Sequence, residues 1–152
     1  MRELNWFEPG QGASESEVSE LEGAIGLRLP KDFTEFVIKN AGASNPDESE
    51  FDIADLNGKI IVGNLGFVLP ISSVGGESVA GALSDLSSQI QSGLVPVIGT
   101  GSGDFVCLDF RSGCGASVTY FFHERSGVGA LVPLSSTFTD FLNTLREPAD
   151  DF

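Results

Sequence analysis

The sequence predicts an α+β domain, a mainly antiparallel sheet with helices packed against it. Three observations carry this expectation. The apolar periodicities run in the order helix, helix, strands, helix, strands, helix. The connections between strand-like runs are short turns such as Asn57-Gly58 and the Gly99–Gly103 run. Such turns favour antiparallel neighbours, whereas parallel strands need long crossovers.

The first helix is expected to start at Ser14, where Ser14 and Glu17 have capping-box spacing. Val18, Leu21 and Ile25 then form one apolar stripe, and Gly26 can take the left-handed conformation that stops the helix. Pro30 fits the first turn of a second helix, with Phe33, Phe36 and Val37 as its buried face and Gly42 as its stop. Asn57-Gly58 predicts a type I′ hairpin joining strands at 51–56 and 59–62, with a further extended segment at 66–71.

Val79, Leu83, Leu86 and Ile90 predict a helix ending near Gly93, which Gly81 weakens by about 1 kcal/mol relative to alanine. Strands are expected at 94–98, 105–110 and 117–124. A short edge strand should follow at 130–134, where Pro133 is tolerated. A last helix opening near Ser135 or Ser136 would bury Phe138, Phe141, Leu142 and Leu145. Trp6 reads as an anchor that pins the terminus onto the core.

A chain of 152 residues is expected to form one domain over 1–152, with its core at 5–145. At this size about 68–70% of the unfolded surface is buried, and 12 Phe with many Val, Ile and Leu supply the core. No apolar run approaches the roughly 20 residues of a membrane span. The start MRELNWFEPGQG lacks an apolar secretion stretch, so a cytoplasmic location is expected.

Against 22 acidic residues stand only 8 basic ones, a formal charge of −14. Such a surface repels phosphates, which argues against nucleic-acid binding; the charge serves solubility in its plain reading and attracts a basic protein partner in its functional one. Asp47, Glu48, Glu50, Asp52 and Asp55 form the densest acidic cluster. It lacks the central glycine and terminal glutamate of a calcium loop, so a solvated loop is its default reading and an acidic docking surface its functional one, with Glu48, Glu50, Asp52 and Asp55 as candidate contacts.

No catalytic, cofactor or metal set emerges. Gly99–Gly103 precedes a strand, not a helix, and no lysine follows it, so it reads as a tight turn. In that turn Gly101 and Gly103 serve backbone conformation, and Asp104 is expected to cap turn amides with its carboxylate. His123 has no nucleophile motif beside it and reads as an edge or surface residue. Cys107 lies in an apolar run and reads as a core residue, and Cys114 as an exposed turn residue. With a single histidine, a zinc site is not expected.

Trp6, LEGAIGLRLPKDFTEFV, the stop NAGA, GTGSGDFVCLDF, VTYFFHE and STFTDFL together resemble the SUKH superfamily of Smi/Knr-type domains over about residues 5–145. NAGA stands where a doubled glycine is common, and residues 72–92 match poorly. The resemblance implies a non-enzymatic α+β binding module. Bacterial members are thought to neutralise a cognate toxin, often a nuclease, by binding it. Two other classes remain open at this point: a regulatory scaffold of the fungal cell-wall-regulator type, and a small enzyme using paired carboxylates.

Overall fold

The computed structural model describes residues 12–43, 49–55, 57–71, 78–85, 92–100, 102–113, 115–125 and 127–146. Two helices open the chain, α1 (Glu15–Ile25) and α2 (Lys31–Asn40). Strands β1 (Glu50–Ala54) and β2 (Ile60–Val68) follow, then α3 (Val79–Asp85). Next come β3 (Leu94–Thr100), β4 (Phe105–Asp109) and β5 (Ser117–Phe121). A 3-10 turn at Gly127–Ala130, β6 (Leu131–Ser135) and α4 (Phe138–Thr144) end the order. The strands form a six-stranded sheet in the order β1-β2-β3-β4-β5-β6, and every neighbouring pair is antiparallel. The α+β architecture expected from the sequence is the one observed.

The helix boundaries follow from local chemistry. Ser14 Oγ accepts from the Glu17 amide, the Glu17 carboxylate accepts from the Ser14 amide, and Gly26 ends α1 at φ +72°. Pro30 stands one place earlier than expected. It is the extended residue before α2, with φ −60° and ψ 146°, and its carbonyl accepts from the Thr34 amide and hydroxyl. Gly42 takes φ +83° just after α2.

The last helix also starts later than expected, at Phe138. Thr137, not Ser135 or Ser136, caps it by accepting from the Asp140 amide. Asp32 in the first turn of α2 accepts from both the amide and hydroxyl of Thr139, so one carboxylate serves the starts of two helices. Against this joint the Phe138 ring meets Phe33 edge-on at 5.1 Å and Phe36 at 5.0 Å.

Val18, Leu21, Phe33, Val37, Phe138, Phe141 and Leu145 pack with Phe51, Leu65, Ile98, Val106 and Tyr120 in the main core. Leu94, Cys107, Phe121 and Ala130 make a smaller cluster with Phe105 and Leu131. Burial of β3 along its whole length follows from its central position. Its Pro96 sits at a register shift, where a missing ladder donor is tolerated. As expected, Pro133 lies exposed on an edge strand.

Two strand assignments are corrected. The segments expected at 59–62 and 66–71 form the single strand β2, because its glycines act as points of close approach and not as breaks. A Cβ at Gly63 would lie 2.8 Å from the Phe51 ring, and one at Gly66 would lie 2.6 Å from the Gly99 carbonyl oxygen. The Asn57-Gly58 turn is longer than a two-residue hairpin, since the last strand pair before it is Ala54 with Ile60. Asp55 explains the length: its Oδ1 accepts from the amides of Asn57 and Lys59, while its carbonyl accepts from the Gly58 amide. Gly58 supplies the positive φ, at +79°. Strand β5 ends at Phe121, earlier than expected, because the His123 amide turns to a side-chain acceptor. Trp6, Leu86, Ile90 and Cys114 lie outside the described residues.

Two glycine substitutions separate close approach from helix propensity. Gly66→Ala should cost about 1–3 kcal/mol, because backbone at Gly99 must move to admit the methyl group. Gly23→Ala, where a Cβ meets nothing within 4 Å, should stabilise by up to about 1 kcal/mol. Urea unfolding midpoints of the two variants, read against the parent chain, measure both signs.

Candidate functional site

The sheet curls so that the β1-β2 hairpin lies over the end of β5. Phe51 on β1 sits 5.9 Å from the Tyr120 ring, and Tyr120 packs 4.8 Å from Phe122. Between the hairpin and the sheet end lies a groove of about 460 Å³. Ile53, Ile61, Val62, Gly63 and Asn64 line one side, and Ser102, Asp104, Tyr120 and Phe122 the other. Ile60 and Val62, 55% and 49% exposed, are the large apolar side chains most open to solvent among the described residues.

Asp104 fastens this end of the sheet. Its Oδ1 accepts from the His123 amide at 2.9 Å and from His123 Nδ1 at 2.6 Å. Its Oδ2 accepts from the Tyr120 hydroxyl at 2.8 Å and the Ser102 hydroxyl at 3.2 Å. Burial pushes the Asp104 carboxyl up. Hydrogen bonds from the His123 side chain and backbone, Tyr120 and Ser102 outweigh that and hold it below the usual carboxylate value. An ionised carboxylate can only accept, so Nδ1 carries the proton and Nε2 is turned toward Glu124, 3.8 Å away. The expected amide cap exists, but the amide belongs to His123 beyond β5 and not to the turn. Thr100 caps the turn instead, accepting from the Asp104 amide.

His123 is therefore not a free surface residue. It is bound to Asp104 and lies against Gly103, where a Cβ would come 3.2 Å from the ring. Gly103 also has φ +89°, a backbone conformation that glycine adopts without strain. Gly101 lies outside the described residues.

An aspartate–histidine pair is an acid–base element, but nucleophilic catalysis needs a hydroxyl or thiol on the free ring nitrogen. Among the described residues no such group is recorded on Nε2, and the Ser102 hydroxyl engages Asp104 and Thr100. Cys107 is buried, and desolvation raises its thiol pKa far above the ordinary range, which keeps it protonated. Among the described residues no group of three or more His, Cys, Asp or Glu side chains could hold a metal ion. No helix there is long and apolar enough to cross a membrane.

The acidic candidates are distributed around the hairpin. Glu50 and Asp52 share Arg146, whose Nη2 donates to Asp52 at 2.9 Å and whose Nε lies 3.7 Å from Glu50. The Asp55 carboxylate faces the amides of its own turn. Glu48 lies outside the described residues.

Sequence reasoning passed over Tyr120, Arg146 and Asp109. Asp109 accepts from Arg111 Nε and Nη2 and from the Thr119 hydroxyl. Burial raises its carboxyl, but these bonds, led by Arg111, hold it below the usual value. A signal for Tyr120 was present: a lone tyrosine in a strand of buried residues needs a partner for its hydroxyl.

The family model described as SMI1 / KNR4 family (SUKH-1) matches residues 12–144. The chain belongs to this family. The match takes in the α1-α2 pair, all six strands and α4. No curated protein matches the chain.

Two outcomes follow for the Asp104 cluster. Its folded-state pKa is depressed, so the stabilisation is complete above the unfolded value of about 3.9 and is lost as pH falls through the folded one. Asp104→Asn should lower stability at pH 7 by about 1–3 kcal/mol and flatten the loss of stability below about pH 5. Urea unfolding at stepped pH reads both. Gly103→Ala should cost more than about 1 kcal/mol through its positive φ, seen as a lower thermal midpoint.

Proposed function

We propose that the chain is a non-catalytic protein-binding module that neutralises a cognate bacterial toxin in the cytoplasm by direct binding. A basic nuclease domain is the class of toxin that fits best. The observation that carries the reading is the β1-β2 hairpin, which holds Ile60 and Val62 exposed with Asp52 beside them, on a chain of net charge −14. A patch with an apolar centre and an acidic surround suits a partner whose phosphate-binding surface is positive. Membership of a family that includes toxin-neutralising proteins supports the reading. So does His123, which has no recorded nucleophile on its free ring nitrogen among the described residues.

In this reading Glu50, Asp52 and Asp55 form the acidic border, and Glu48, outside the described residues, is the further contact expected from the sequence. Asp52, 54% exposed at its side chain, faces the partner most openly among the described ones. Asp55 contributes its charge while holding the turn.

The test needs a candidate toxin, sought as a basic nuclease domain among the products of neighbouring genes. Wild type should associate faster at low salt than at high salt, because opposite charges steer encounter and are screened over about 8 Å at physiological ionic strength. Replacing Glu48 and Asp52 together by lysine should slow association at least about tenfold at low salt, with stability lowered by no more than about 1 kcal/mol through loss of the exposed Asp52–Arg146 pair. Association that ignores salt, or full protection of cells by the double variant, would move the contact surface elsewhere.

A further inference from the structure

Strand β2 has two halves. Its second half pairs with β3 from Leu65 to Val68, while its first half, among the described residues, pairs only with β1. The ladder fixes which backbone groups face which way. Asp55 donates to the Lys59 carbonyl at one end, and Leu65 donates to the Ser49 carbonyl at the other. Residues 59, 61, 63 and 65 therefore turn their amides and carbonyls toward β1, and Ile60 and Val62 turn theirs away. Glu50 confirms the alternation from the opposite strand: it points away from β2 and exchanges both backbone bonds with Arg146.

On the side that Ile60 and Val62 face, β3 has already ended at Thr100 and turned toward β4. No described strand pairs there. The groove runs along this edge, with Tyr120 and Phe122 as its far wall. Sheet edges are ordinarily blunted by charge, proline or a covering element, because open amides and carbonyls template another strand. Here the open positions carry Ile60 and Val62, both about half exposed.

We infer that the open edge of β2 at Ile60 and Val62 is a strand-addition site for a short extended segment of a basic protein partner. This rests on the binding role proposed above and gives it a mode. Backbone bonds to Ile60 and Val62 supply affinity, and alternate side chains supply selectivity. Side chains on one face of the segment enter the groove against Tyr120 and Phe122 and are apolar. Those on the other face lie beside Ile60 and Val62, within reach of Asp52. Lysine or arginine fits there, whereas a second copy of this chain would bring −14 against −14.

The probe is a capped seven-residue peptide alternating lysine and valine, titrated into the full chain at low salt and followed by backbone amide NMR. Val62→Pro removes a donor that β1 does not use, and proline is tolerated where the N–H faces outward. Val62→Thr keeps the donor. The inference expects shifts at Ile60, Val62 and Tyr120, and affinity reduced about tenfold or more by Val62→Pro, as loss of one backbone bond implies. Val62→Thr should stay within about threefold. A peptide with alternate amides methylated should lose the same affinity on the unmodified chain, which holds even if the proline variant fails to fold. The glutamate counterpart of the peptide should not bind.

Equal binding by Val62→Pro and wild type, shifts mapping away from β2, or equal binding of the glutamate peptide would each overturn the site. A dimer in sedimentation that Val62→Pro abolishes would overturn the assigned partner. Edge binding by the lysine peptide with no toxin neutralised supports the site and removes the toxin reading. Neutralisation undiminished in a folded Val62→Pro variant removes the site and keeps that reading.

Discussion

A carboxylate drawn into a protein interior keeps its charge only if enough donors converge on it, and at Asp104 those donors come from two separate segments. Ser102 belongs to the β3-β4 turn, Tyr120 to β5, and His123 to the chain leaving β5. Desolvation alone would raise the pKa of the group, and the converging donors reverse that balance. The consequence reaches well beyond the charge. Once its hydroxyl is held, the Tyr120 ring has a fixed place, and Phe51 and Phe122 both pack against it. Phe51 in turn meets Phe141 at 5.2 Å, so the curl of the hairpin and the seat of α4 both refer back to this one group.

Glycine placement sets how the sheet bends around that anchor. At Gly66 the backbone of β2 comes too close to Gly99 for any side chain, and the register shifts between Leu65 and Phe67. The Phe67 ring occupies the space that a side chain at Gly99 would need. One continuous strand thus exchanges its neighbour midway, serving β1 with its first half and β3 with its second. The groove is the space left where that exchange occurs. It is a product of curvature, and its open edge follows from the same shift that lets the sheet close over its core.

Much of the fold was legible because the signals are local. Ser14 and Glu17 read each other across one helical turn, and Gly26 needs only its own backbone freedom to end α1. The apolar faces of α2 and α4 follow from periodicity. What escaped depends on long-range partners. Asp32 meets Thr139 across 107 residues and Arg146 meets Asp52 across 94, and no spacing rule connects such pairs. The glycines of β2 misled for a related reason. In isolation a glycine reads as a break, and only the opposing Phe51 ring and Gly99 carbonyl reveal that it marks close approach. The acidic cluster was visible as composition, but the apolar groove beside it required the sheet to curl.

Charge and shape divide the work at the proposed interface. Few of the acidic groups near the hairpin are free monopoles: Arg146 draws on Glu50 and Asp52, Asp55 holds its turn, and Asp104 faces inward. Local ion pairing of this kind weakens any single carboxylate as an anchor, since exposed pairs are worth only about 0–1 kcal/mol. The net field of the chain survives that pairing, because Arg146 is one of only 8 basic residues against 22 acidic ones. A field acts at a distance and governs encounter, whereas residence depends on groups that desolvate on contact. Ile60, Val62 and the backbone groups between them are the hairpin's candidates for that second role. A partner surface matched only in charge would therefore arrive quickly and leave quickly, and in the proposed mode the selectivity of this chain would reside in the strand edge and not in the acidic cluster.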